Sequence, residues 1–83
     1  MKFHYKKILP EYFEPLVKGR KPFEIRLNDE DYQEGDYVEL MEYDGIDYTG
    51  AISLIRIKEI FPLDKIGLKN YIAFTFTFES FAK

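Results

Sequence analysis

Cysteine and tryptophan are absent from this 83-residue chain, and histidine occurs once. Without cysteine there is no disulfide framework and no thiolate metal site, and a single imidazole cannot assemble a His-based zinc site. Stability must therefore come from an apolar core, and neither a metal nor a cofactor is expected. Long hydrophobic runs are missing too. They extend over a few residues only, as at Ile72-Ala73-Phe74, against the ~20 that a membrane-spanning helix needs. The opening residues, Met1-Lys2-Phe3-His4-Tyr5-Lys6-Lys7, lack the apolar stretch of a signal peptide. A cytoplasmic protein without a membrane partner is expected.

Aromatic residues, by contrast, are plentiful. Eight Phe and seven Tyr make 18% of the chain, and hydrophobic residues make 46%, well above the composition of disordered segments. A chain this short supports one core, so residues 1–83 are read as a single domain. The net charge is −3, which argues against a purely electrostatic nucleic-acid binder, but the charges are unevenly placed. Residues 1–26 carry seven basic and three acidic side chains, whereas the remainder carries five basic and twelve acidic ones. The first third can thus present an anion-binding face while the acidic remainder discourages non-specific association.

Periodicity gives six elements. Residues 2–8 alternate, with Phe3 and Tyr5 on one face and Lys2, His4 and Lys6 on the other, predicting a strand whose polar side is wet. A helix follows from Pro10, with Tyr12, Phe13, Leu16 and Val17 as its apolar stripe and Gly19 as its C-terminal cap. Pro15 inside that stripe predicts a short or kinked helix. From Phe23 the period becomes two, and Phe23, Ile25 and Leu27 are expected in the core while Glu24 and Arg26 face solvent. An acidic loop, Asn28-Asp29-Glu30-Asp31, leads to a turn at Gly35-Asp36 and a strand near Tyr37–Tyr43. Asp44-Gly45 makes a hairpin connection to a strand near Tyr48–Glu59. In that strand Ile52 and Leu54 share one parity and Ile55 and Ile57 the other, a phase change expected of a bulge or barrel corner. A loop or single helical turn over residues 61–70 precedes Tyr71–Phe78, with Ile72, Phe74, Phe76 and Phe78 predicted inside. One short N-terminal helix and about five strands predict an α+β fold built as a small, partly closed mixed β-barrel.

The run Gly19-Arg20-Lys21-Pro22-Phe23-Glu24-Ile25-Arg26 resembles the G-x-K-x-x-E-x-R signature of the ASCH superfamily, small β-barrels related to PUA domains. His4, the stretch Lys7-Ile8-Leu9-Pro10-Glu11-Tyr12-Phe13, Asn28-Asp29, Gly35-Asp36, Glu42-Tyr43-Asp44 and Tyr48-Thr49-Gly50 extend the likeness in order over residues 4–58. They are similar to a phage- and Firmicute-associated family of unknown function within that superfamily. The resemblance implies a PUA-like fold and an RNA, nucleotide or nucleoside ligand held beside the signature.

Within the signature, Glu24 and Arg26 leave the same face of one strand with bases ~6.6 Å apart, near enough to share a polar ligand. Arg26 can grip a phosphate or base edge, Lys21 can neutralise an oxyanion, and Glu24 can accept from an exocyclic amine or move a proton. Charged pairs on wet strand faces are also common structural salt bridges. The candidate ligand-binding residues are His4, Lys18, Gly19, Arg20, Lys21, Glu24, Arg26 and Tyr32. Tyr32, set among acidic residues, is expected to be exposed, and Tyr12, Tyr37, Tyr43 and Tyr48 are further aromatics able to stack on bases. Two other readings stay open. Some compact ASCH proteins hydrolyse N4-acetylcytidine with a Lys, Thr and Glu group, which would make Lys21 and Glu24 catalytic in a small amidohydrolase. Alternatively, the chain is a phage-derived protein-interaction module.

Overall fold

A computed structural model describes all of residues 1–83. Strand β1 (Phe3–Ile8) runs into helix α1 (Pro10–Val17), which is followed by β2 (Phe23–Leu27), β3 (Tyr37–Tyr43), β4 (Tyr48–Pro62), a single 3-10 turn at Asp64–Ile66, and β5 (Tyr71–Ala82). Pro10 opens α1 where its missing N–H costs no hydrogen bond. Gly19, at φ +75°, turns the chain out of the helix, with its N–H on the Leu16 carbonyl and that of Arg20 on Pro15. The helix is only eight residues long. At the β3–β4 hairpin Gly45 takes φ +103°, while the Asp44 carboxylate accepts the N–H groups of Ile46 and Asp47, each at 2.9 Å.

The five strands form one mixed sheet in the order β1-β3-β4-β5-β2, in which only the β1–β3 pair is parallel. The sheet curls into a half-barrel, so the chain has the small barrel-like α+β fold that the periodicity predicts. Val38, Leu40, Ile55, Ile57, Ile72 and Phe74 fill its concave side, and Phe13 and Leu16 of α1 join the same core. Because β1 and β2 are the two ends of the sheet, they flank an open seam. No helix is long and apolar enough to cross a membrane.

Both seam strands present the opposite face to the one expected. In β2, Glu24 is buried, while Phe23, Ile25 and Leu27 are each nearly half exposed. In β1, His4 is buried, while Phe3 and Tyr5 point outward. Period two separates a strand's faces without saying which is inside. Here the concave side next to the seam carries charged partners, and polar side chains turn toward them.

Three further expectations are corrected. The inward residues of β4 keep one parity through Ala51, Ser53, Ile55 and Ile57, and Ile52 and Leu54 lie on the outer face. The register against β5 does slip between Leu54 and Ile55, where the bulge was expected, but the inward parity of β4 changes only at the second slip, around Lys58, after which Ile60 packs on the core. Phe78 pairs with buried Ile55, yet it is 45% exposed near the end of the sheet. Tyr32 is not an exposed stacking residue: it is 2% exposed, lies 4.4 Å from the His4 ring centroid, and its hydroxyl has no hydrogen-bond partner. Burial pushes that hydroxyl's pKa up. Removing an unpaired buried hydroxyl while keeping the ring is nearly neutral or stabilising. Tyr32→Phe should therefore shift the urea unfolding free energy by less than ~0.5 kcal/mol or raise it, whereas a loss above ~1 kcal/mol would show that the hydroxyl is bonded.

Candidate functional site at the open seam

The seam opens into a cleft of about 510 Å³ between the end of β1, α1 and β2. Its polar centre is built by the signature. The left-handed turn at Gly19 brings the chain back so that Lys21 precedes β2, and pairing with β5 sets Glu24 opposite fully buried Phe74. Glu24 is only 4% exposed, and its two oxygens are taken separately: Lys21 Nζ donates to Oε1, and Arg26 Nε donates to Oε2 at 3.1 Å. Lys21 also donates to the Phe23 carbonyl at 2.9 Å.

Arg26 does a second job. Its Nη2 reaches across the seam to the Lys7 carbonyl at 3.1 Å, so a side chain joins two strands that no backbone ladder connects. Lys7, Lys21 and Arg26 line the cleft against one carboxylate, Glu24, and Tyr12, Phe23 and Leu9 supply apolar wall. The cleft is thus net positive in a chain of net charge −3. Its lining holds no Ser, Thr or Cys.

Of the expected ligand-binding residues, Lys21, Glu24 and Arg26 converge here and Gly19 makes the turn that delivers them. Lys18 and Arg20 do not line the cleft; both are exposed and approach Glu14, at 3.1 and 3.9 Å. His4 and Tyr32 belong to a separate buried cluster. The His4 ring nitrogens lie 3.0 Å from Glu30 Oε1 and 2.8 Å from Asp36 Oδ2. Asp36 also accepts the backbone N–H groups of Lys2 and Gln33. Burial pushes the Asp36 carboxyl up, but the hydrogen bonds from His4, Lys2 and Gln33 together outweigh it and hold the group below its ordinary value. A hydrogen bond from Lys6, seconded by His4, lowers Glu30, and the same Lys6–Glu30 bond raises Lys6 against the opposing effect of burial. This cluster ties β1 to the loop before β3. No group of His, Asp and Glu side chains is arranged to hold a metal ion.

Sequence reasoning missed Lys7, Ile8 and Leu9, and it assigned Phe23 and Ile25 to the core although both line the cleft. The first three lie outside the signature and arrive only because the sheet places the end of β1 across the seam from β2.

Fold and site together define a small α+β half-barrel with a basic cleft at its unpaired edge. The chain belongs to the family described as Domain of unknown function (DUF3850), whose profile matches residues 3–74. A crystal structure of hypothetical protein PH0355 is similar in fold, with a TM-score of 0.62 at 19% identity over 95% of this chain and 100% of that one. No curated protein matches the sequence.

Proposed function

We propose that the chain is an ASCH-type, PUA-like domain that binds RNA or a nucleotide in the seam cleft. The observation that carries this reading is Glu24, a carboxylate nearly sealed from solvent yet lining a cleft whose other charged groups are all cationic. Each of its oxygens spends one acceptor site on Lys21 or Arg26 and keeps another. The remaining sites suit the N–H groups of a nucleobase edge. Lys7 and Lys21 stand where a phosphate would be neutralised, and the rings of Tyr12 and Phe23 offer stacking faces beside them. The likeness of Gly19–Arg26 to the G-x-K-x-x-E-x-R signature supports the same reading.

Counterion release makes the proposal measurable. Each phosphate contacted on a single strand contributes about −0.7 to the log–log slope of affinity against salt, so Lys7 and Lys21 together set a slope near ~−1.4. Fluorescence anisotropy with a fluorescein-labelled five-nucleotide RNA across a salt series should give this slope with micromolar or weaker affinity. Lys7→Ala should reduce it by roughly 0.7. Arg20→Ala, remote from the cleft lining, should leave it unchanged. Absence of binding at low salt, or a slope indifferent to Lys7→Ala, would remove the cleft as a nucleic-acid site.

A further inference from the structure

The outer face of β1, β3 and β4 is as unusual as the cleft. Register places Phe3 beside Tyr37 and Arg56, Tyr5 beside Glu39 and Leu54, Lys7 beside Met41 and Ile52, and Tyr43 beside Tyr48. A solvent-facing sheet surface is ordinarily polar, yet this one carries five aromatic rings. Tyr5 and Tyr48 are 58% and 53% exposed. Cations are already seated on the rings: Lys7 Nζ lies 4.4 Å from the Tyr43 centroid and 5.9 Å from that of Tyr48, and Arg56 lies 5.3 Å from that of Tyr37. Neither Lys7 nor Arg56 makes an ion pair.

A recess of about 360 Å³ opens on this face, lined by Tyr5, Lys6, Lys7, Arg26, Met41 and Tyr48. Its lining has three cations and no carboxylate. Lys6 is held by Asp29 and Glu30, and Arg26 by Glu24, which leaves Lys7 as the cation available to a ligand. Lys7 and Arg26 also line the seam cleft, so the two cavities share part of their walls at the β1 edge.

We infer that the ligand is a strand of RNA rather than a free mononucleotide: one nucleotide occupies the seam cleft, and its neighbour stacks on Tyr5 and Tyr48 with the intervening phosphate at Lys7. The inference rests on the proposed reading of the cleft and extends it to a second subsite. Exposed rings flanked by unpaired cations are the chemistry that single-stranded nucleic acid requires, a π-face for each base and a positive charge for each phosphate.

The labelled five-nucleotide RNA, followed by anisotropy, and the four ribonucleoside 5′-monophosphates, followed by NMR chemical-shift titration, separate the two subsites. Base stacking lost on alanine substitution weakens binding by about five- to 150-fold. Tyr48→Ala and Tyr5→Ala should each weaken RNA binding to that extent while leaving monophosphate affinity unchanged. Tyr48→Phe, which keeps the ring, should bind RNA as the wild type does, and Glu24→Gln should weaken both ligands. If both tyrosine-to-alanine variants bind RNA like the wild type while Glu24→Gln weakens it, the outer subsite is overturned and the cleft stands. A wild-type protein that binds neither ligand overturns both.

Discussion

Replacing Phe74 with alanine is expected to remove about 3–5 kcal/mol of folding stability, the range for a large aromatic truncated in a core that cannot collapse around the gap. Phe74 is completely buried, pairs with Glu24 on one side and Ile60 on the other, and lies 5.9 Å from the Tyr32 ring. A domain of this length has roughly 4–12 kcal/mol in total, so the variant should lose from about a quarter to all of its stability. The loss also reaches the cleft, because β2 pairs only with β5 and Glu24 depends on that pairing for its place. Urea denaturation followed by circular dichroism would measure it. A midpoint within a few tenths molar of wild type would mean that β5 does not carry the core.

Asp36→Ala should cost about 3 kcal/mol, since it strips the carboxylate from His4 and from two backbone N–H groups at a position where Asp36 and His4 are both buried. The same residue shapes the acid limb of stability. Asp36 and Glu30 are both held below their ordinary values in the folded protein, so in acid the unfolded chain binds more protons than the folded one, and stability rises with pH there. Their contribution is complete above the unfolded carboxylate range, about 4 to 4.5, and is lost as pH falls through the lower folded values. Lys6, raised by its bond to Glu30, gives the converse at the alkaline end: its contribution is full below about 10.4 and is lost as pH rises through the folded value. The unfolding free energy of Asp36→Ala, measured between pH 3 and 7, should therefore vary less steeply than that of the wild type. An unchanged acid slope would show that Asp36 keeps its ordinary titration.

Much of the fold is legible without coordinates, and the reason is local. Proline at the first turn and glycine after the last fix α1 within a residue, while alternation marks where β2, β3 and β5 lie. The signature likewise brings Lys21, Glu24 and Arg26 together, because residues two apart on a strand must share a face and the preceding turn is three residues away. What alternation could not give was the sign. Phe23, Ile25 and Leu27 form the more apolar face of β2 and still point outward, as Phe3 and Tyr5 do on β1. His4 read as a ligand candidate because it falls on the polar face of β1, and Tyr32 because a tyrosine in an acidic loop looks accessible, and nothing nearby in the chain announces that Asp36 and Glu30 will enclose the histidine ring.

The number and order of the elements and the ion trio of the signature follow from patterns within a few residues along the chain, and the single core from the chain's length. Only the tertiary structure decided that β1 and β2 end the sheet on either side of an open seam, that their polar faces turn inward, and that Lys7 meets Arg26 there. Those outcomes depend on which strand pairs with which. The pairing puts residues 19 positions apart in hydrogen-bond contact across the seam, a distance over which the pattern of one strand carries no information about the face another will need.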